Sequence, residues 1–432
     1  MRAPRRLTAA AVGLTAVAAM LAACGPSEGR EPVGTLAPSA DADQVEVVTW
    51  WASGSEKLAL DTLVTEFSAQ HPSVKVVDAA VAGGAGSSAI DLLRSRLAAG
   101  DAPDTFQAHA GAELTGYVRA GQVQDLTPLY DELGLRSAFP AGLLDLLTVN
   151  GKLFAVPLDI HRANVVWANR DVLARAGLNP DTRYPTLESW FTALDALRAS
   201  GVQAPLSLAT TWAQVQLLET VLISDLGAPA YEGLWTGTTA WDGVAVTHAL
   251  RDFAKLLTYA NPDRDSLDWA AATQRVIDGE AAFTVMGDWA LVAFDEANKK
   301  AGTDFTTFPV PGTDGVFDLL ADTFTLPTGA PHPAGTRAWL ETVASTAGQT
   351  TFSRAKGSIP ARTDVTQAPF EPYQRDAMTA FVTDILVPSL AHGTAAPTGV
   401  LAAMSTATQS FTTGSTSIAQ FQSALTIAAA GS

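Results

Sequence analysis

Ten tryptophans against six tyrosines tilt the aromatic inventory towards wide, flat faces. Several stand beside polar residues: Trp50-Trp51, Trp269 after Leu267-Asp268, and Trp289 closing Gly287-Asp288-Trp289. An indole supplies contact area and an ionised carboxylate supplies the stronger hydrogen bonds. That combination suits a pyranose, which has one apolar C–H face and a rim of hydroxyls. Judged by burial habits, a core or packing role is the equal alternative for each indole. Trp50 and Trp51 end a strand-like run, so pleating would send them to opposite faces and separate roles. His109, His161 and His392 each close an apolar segment beside polar residues, in FQAHAG, LDIHRAN and LAHGT. Their nitrogens can bond hydroxyls, ligate a metal or satisfy nearby backbone.

Other chemistries find less support. H-E-x-x-H and His-x-His are absent. The Asp263–Asp268 run lacks the glycine of a calcium loop and carries Gln274 where its last glutamate belongs. No metal and no cofactor is expected. Gly83-Gly84-Ala85-Gly86 lacks the Gly-Lys-Ser/Thr end of a phosphate loop and reads as a tight turn before a helix. Gly-x-Ser-x-Gly is missing too. Paired carboxylates of a glycoside hydrolase stay open, because acids are plentiful and their separation is not readable from sequence.

These side chains need a scaffold, and the pattern supplies one. VEVVTWW (45–51), VKVVDAAV (74–81) and DTFQAH (104–109) read as strands. Helices are expected over 57–70, with Leu58, Leu60, Leu63, Val64 and Phe67 mostly on one face, and over 88–100. Strand and helix alternating over this stretch predict a parallel sheet with covering helices. Helical runs follow around 186–200, 212–226, 243–260 and 334–355, interrupted by apolar segments at 281–290 and 316–327. A hinge is expected where Leu153-Phe154-Ala155-Val156-Pro157 enters a polar stretch. Two α/β lobes joined by crossing segments would leave a cleft at their strand ends, where ligands tend to bind.

Length and charge narrow the class. A chain of 432 residues, 47% apolar, is long enough for two domains with their own cores. Forty-four acidic against 27 basic side chains make nucleic acid a poor partner. A single cysteine excludes a disulfide framework. Arg2, Arg5 and Arg6 precede a small and apolar run from Leu7 to Ala23, the form of a secretory signal. Leu21-Ala22-Ala23-Cys24-Gly25 looks like a bacterial lipobox, so Cys24 is the expected lipidation site, with 24–44 a Pro-, Gly- and Ala-rich tether. Both general secretion and twin-arginine export are compatible with Arg5-Arg6. The expected location is the outer face of the cell membrane.

Taken together, the motifs resemble extracellular solute-binding proteins of bacterial ABC importers, the carbohydrate-uptake branch, and most closely its glucose-binding members. The resemblance rests on FSAQHPSVKVV (67–77), TWWASGSE (49–56), VAGGAGSSA (81–89), DTFQAHAGAEL (104–114), VPLDIHRANVVW (156–167), AAFTVMGDWA (281–290), PVPGTDGVFDLLADTFTLP (309–327), KGSIPAR (356–362) and LAHG (390–393). It implies an α/β, two-lobe periplasmic-binding-protein-like fold with the ligand cleft between lobes. Lobe 1 would be 45–158 with 312–348, and lobe 2 would be 159–311 with 349–432. It further implies a monosaccharide ligand (glucose, galactose or mannose), ABC permease subunits as partners, a monomeric receptor and no catalysis. Carried over residue by residue, Trp50, Trp51, Glu56, Gln107 and His109 would reach the sugar from the first lobe. Trp269, Gly287, Asp288 and Trp289 would come from the second, with Asp322, Lys356 and His392 completing the hydroxyl contacts. Lys356 and Asp322 could share a desolvated rim, a structural salt bridge being the alternative. His161 reads as structural, and ligand contact by His161 or Trp212 stays open. A secreted hydrolase or lyase, or a receptor for peptides or metals, are the competing classes.

Overall fold

The structure, a computed structural model, describes residues 44–82 and 86–431. The signal, lipobox and tether readings, and Gly83, Gly84 and Ala85, lie outside them. In the first strand, Gln44–Val48, polar and valine residues alternate, and Val45 and Val47 go to the core. Strand, helix, strand, helix, strand follow as expected. Gln44–Val48 pairs in parallel with both Lys75–Asp78 and Thr105–His109, and the helices Gly54–Gln70 and Ser87–Ala98 connect them. The first helix buries Ala59, Leu60, Leu63 and Phe67. Leu58, expected on that face, is 55% exposed because it lies about 160° around the helix from Leu60.

The larger sheet has the spatial order Ile359–Pro360, Ala155–Arg162, Val316–Thr325, Thr105–His109, Gln44–Val48, Lys75–Asp78, with Ile385–Pro388 parallel to the start of Val316–Thr325. Val316–Thr325 runs antiparallel to both of its long neighbours, so the sheet is mixed. A smaller sheet takes Phe305–Pro309, Val165–Asn169, Phe283–Val285 and Leu206–Ser207 in that order. Each sheet has its own apolar core. Trp51, Phe67, Phe324, Trp339 and Phe352 share one, while Trp190, Phe191, Leu218, Phe253 and Phe283 share the other. This is the two-lobe α/β arrangement. Among the described residues, no helix is long and apolar enough to cross a membrane.

Two differences from the sequence reading concern the second half. The 334–355 run is two helices, Pro333–Ala344 and Thr346–Lys356, broken at Ser345, whose extended backbone lets its hydroxyl cap Gly348 N–H. Lobe 2 does not resume at 349. Ile359–Pro360 pairs with Ala155–Arg162, Ile385–Pro388 pairs with Val316–Thr325, and Ala377, Met378 and Phe381 join the larger lobe's core. By sheet membership the chain returns to the smaller lobe only after Pro388, although Val387 already packs into the smaller lobe's core.

The lobes are therefore linked at 163–164, 310–315 and just after 388. Asn164, fully buried, ties the first two crossings. Its amide donates to Thr313 Oγ1 at 2.8 Å and to Val316 O at 3.0 Å, while its oxygen accepts from Arg162 Nε and Asp318 N–H. Removing those partners leaves buried polar groups unanswered, at about 1–3 kcal/mol each. Asn164→Ala is expected to lower unfolding free energy by about 2–4 kcal/mol in urea titrations. An unchanged midpoint would show that these crossings do not depend on Asn164.

Candidate functional site

Strand pleating assembles the floor of a cavity. Gln107 and His109, Asp159 and His161, and Leu320 and Asp322 are each two residues apart on adjacent strands of the larger sheet, so each pair shares a face. Register brings Asp322 opposite His109 on one side and opposite Asp159 on the other. Above this floor is a cavity of about 590 Å³ lined by residues of both lobes. Trp50, Glu56, His109, His161, Asp322 and Lys356 border it together with Trp212, Trp269, Trp289 and His392. Trp50 stacks obliquely against His109 with centroids 4.9 Å apart. Trp212 and Trp289 stand 5.8 Å apart, and both meet the His392 ring edge-on, at 5.3 and 5.4 Å.

Four expected contact residues do not line the cavity. Trp51 is fully buried against Phe352 and Phe324 in the larger core, whereas Trp50, in the bend beyond the strand's end at Val48, borders the cavity. Gln107 lies beneath, where its amide donates to Asp322 Oδ1 at 2.8 Å and its oxygen accepts from Thr49. Asp288 is wholly buried and bonded to His161 Nδ1 and to Arg162 N–H at 3.1 Å. Gly287 matters for space, since a Cβ there would sit 2.1 Å from the Trp289 ring. Glu56, His109, Trp50, Trp269, Trp289, Asp322, Lys356 and His392 line the cavity wall. His161 and Trp212, left open by the sequence, also line it.

The charges beneath are arranged in alternation. Lys356, 2% exposed, forms its ion pair with Glu56 at 3.0 Å, and Asp322 acts on it only at longer range. Burial opposes the Lys356 charge, but Glu56, Asp322 and Asp159 outweigh it and hold the ammonium above its ordinary value. His161 sits between Asp288 on Nδ1 and Asp159, 3.2 Å from Nε2. Burial again resists, yet those carboxylates raise the imidazolium to about 9. His109 Nδ1 meets Glu113 Oε2 at 2.8 Å, and Glu113 and Asp322 together overcome burial to raise its value. Burial, then the adjacent Asp159, lifts Asp322 to about 6. His392 goes the other way: burial and the cations His109, His161 and Lys356 keep it neutral. The sequence did not single out Glu113: His109 ends the strand Thr105–His109 and Glu113 opens the helix Ala112–Arg119, so their spacing of four is not a helical one.

Asp159, His161 and Asp322 offer ligand atoms within 4.8 Å of one another. His161 Nδ1 is taken by Asp288, and its Nε2 stands 3.2 Å from Asp159. Asp225, His248 and Asp252 form a second such group, away from the cavity. What the cavity does offer is a set of donors and acceptors at fixed spacing under broad apolar faces.

Comparison with known proteins agrees with this geometry. A family model described as bacterial extracellular solute-binding protein matches residues 51–350. An uncharacterized ABC transporter extracellular-binding protein of Pyrococcus horikoshii is 33% identical over 400 residues, 90% of this chain and 88% of that one. A probable sugar-binding periplasmic protein of Mesorhizobium japonicum is 32% identical over 372 residues, 84% of this chain and 88% of its own. Among solved structures, a chitin oligosaccharide binding protein superposes with a TM-score of 0.80 at 20% identity, covering 90% of this chain and 99% of that one.

The His161 charge has a pH signature. Its value in the folded protein lies above the ordinary 6.5, so the folded state holds the proton more tightly. The stabilisation is complete below about pH 6.5 and is lost as pH rises through about 9. His161→Gln is expected to flatten the fall of Tm across that range in the ligand-free protein. An equal slope in the variant would contradict the charge placed on His161.

Proposed function

The chain belongs to the bacterial extracellular solute-binding protein family, and on that premise we propose that it captures a monosaccharide, glucose by preference, and delivers it to an ABC permease. The observation that carries this reading is the buried alternation of Lys356, Asp322 and neutral His392 beneath the indoles of Trp50, Trp269 and Trp289. A pyranose would lay its C–H face on an indole and direct hydroxyls at these groups. The sugar-binding description of the Mesorhizobium relative supports the ligand class. A volume near 590 Å³ falls in the usual range of small-molecule sites, about 300–1,000 Å³.

On this proposal the crossings at 163–164, 310–315 and beyond 388 let the lobes close, stripping water from the sugar and giving the permease a liganded shape to recognise. Cys24, lipidated, would anchor a monomeric receptor to the outer membrane face. Affinity of about −8 kcal/mol, near micromolar, suits capture followed by release.

Titration calorimetry against glucose, galactose, mannose and an oligopeptide tests the proposal. Glucose is expected to bind at one site per chain and to be recovered unaltered. Trp269→Ala, at a half-buried position, is expected to weaken glucose at least about tenfold, or about 1.4 kcal/mol, with little change in Tm of the empty protein. Heat from the peptide alone, or turnover of labelled sugar, would overturn it.

A further inference from the structure

A neutral imidazole donates or accepts at Nε2 according to which nitrogen keeps its proton. In His392 that choice is made behind the cavity wall. Ser389 Oγ lies 2.7 Å from His392 Nδ1 and 2.9 and 3.2 Å from the two oxygens of Glu219, which is fully buried on the helix Thr211–Leu226. A serine hydroxyl has one hydrogen, so it can serve only one of these neighbours. Glu219 also accepts from Ala391 N–H at 2.8 Å. Asp318, on the larger sheet and equally buried, is electrostatically coupled to Glu219, and neither of its oxygens meets a hydrogen-bond donor among the described residues. The proton between the two acids therefore belongs on Asp318, and the negative charge belongs on Glu219, where the donors converge. An anion draws the Ser389 hydrogen. Ser389 Oγ can then only accept from His392, which puts the imidazole proton on Nδ1.

We infer that Glu219 is a positioning residue that, through Ser389, locks His392 in the Nδ1–H form and makes Nε2 an obligatory acceptor. The occupant of the cavity must therefore donate a hydroxyl proton there. Nε2 is buried and has no hydrogen-bond partner among the described residues, although its ring borders the cavity. Glu219 itself is absent from the cavity wall. The tautomer assignment does not depend on the ligand, whereas the hydroxyl donor rests on the sugar reading.

Histidine-labelled, ligand-free protein tests the first part by long-range ¹H–¹⁵N correlation, with His392 identified by loss of its signals in His392→Gln. The expected spectrum has a protonated Nδ1 and an unprotonated Nε2. In Glu219→Gln, Ala391 N–H retains the amide oxygen and the NH₂ turns to Ser389, so Ser389 donates to Nδ1 and the tautomer reverses. Ser389→Ala, which leaves Glu219 in place, is expected to yield a mixture and decides the matter if the glutamine variant does not fold. A protonated Nε2 in the wild type, or a tautomer indifferent to both substitutions, would overturn the inference. The second part uses 2-, 3-, 4- and 6-deoxyfluoro glucoses, since fluorine accepts but cannot donate. Wild type is expected to lose at least about tenfold at one position, and Glu219→Gln is expected to lose much less there. Equal penalties in both proteins would refute the donor requirement. Absence of binding by glucose itself would refute the sugar reading instead, leaving the tautomer spectrum to stand or fall separately.

Discussion

Charges buried at one end of a sheet persist only beside charges of the other sign, and this requirement organises the site. Five carboxylates, Asp159, Asp288, Asp322, Glu113 and Glu56, surround three cations, His161, His109 and Lys356. Removing such ions from water costs several kcal/mol apiece even after relaxation. The network is therefore an expensive way to build a core and a sensible way to build a receptor. Its directions are fixed before any ligand arrives, and what it lacks is hydrogen-bond partners, such as those of Glu113 Oε1 and His392 Nε2. A neutral polyol can supply them without adding a further charge to the buried set.

The fold serves this network by crossing between sheets several times. Ala155–Arg162 carries Asp159 and His161 to the site and leads within two residues into the smaller sheet at Val165. Val316–Thr325 returns with Asp318 and Asp322. The third crossing brings the His392 loop onto the start of the helix Ala112–Arg119, where Ala112 N–H donates to Thr394 O and Glu113 N–H to Gly393 O. That docking needs a glycine at 111, in the left-handed region at φ +90°, because a Cβ would come within 2.4 Å of Thr394 O. Residues distant in sequence thus become neighbours at the junction between the lobes, where a change in their relation would be felt by every buried charge.

Local signals in the sequence carried much of this. The strand and helix alternation up to His109 needs only periodicity, whereas Trp50 and Trp51, expected at a strand end, lie beyond the strand's last residue, Val48. Pleating could also have paired His161 with Asp159 and Gln107 with His109. Other features had no local trace. Asp288 as the partner of His161 depends on a contact across 127 positions, and the Glu219–Ser389 link spans 170. The helical segment 346–356 and the strands after it read equally well as part of either lobe, because amphipathic patterns show that a face is buried but not against which sheet. Trp212 begins a helix whose apolar residues point all round, so no stripe singled it out.

The most direct test of the central claim is a crystal structure of the protein with glucose. The account predicts the pyranose between the indoles, with hydroxyl oxygens within hydrogen-bond distance of Asp322, Lys356 and His392, and with Lys356 still paired to Glu56. Sugar density outside this cavity, or a glucose whose hydroxyls meet only solvent while the buried charges stay untouched, would contradict it.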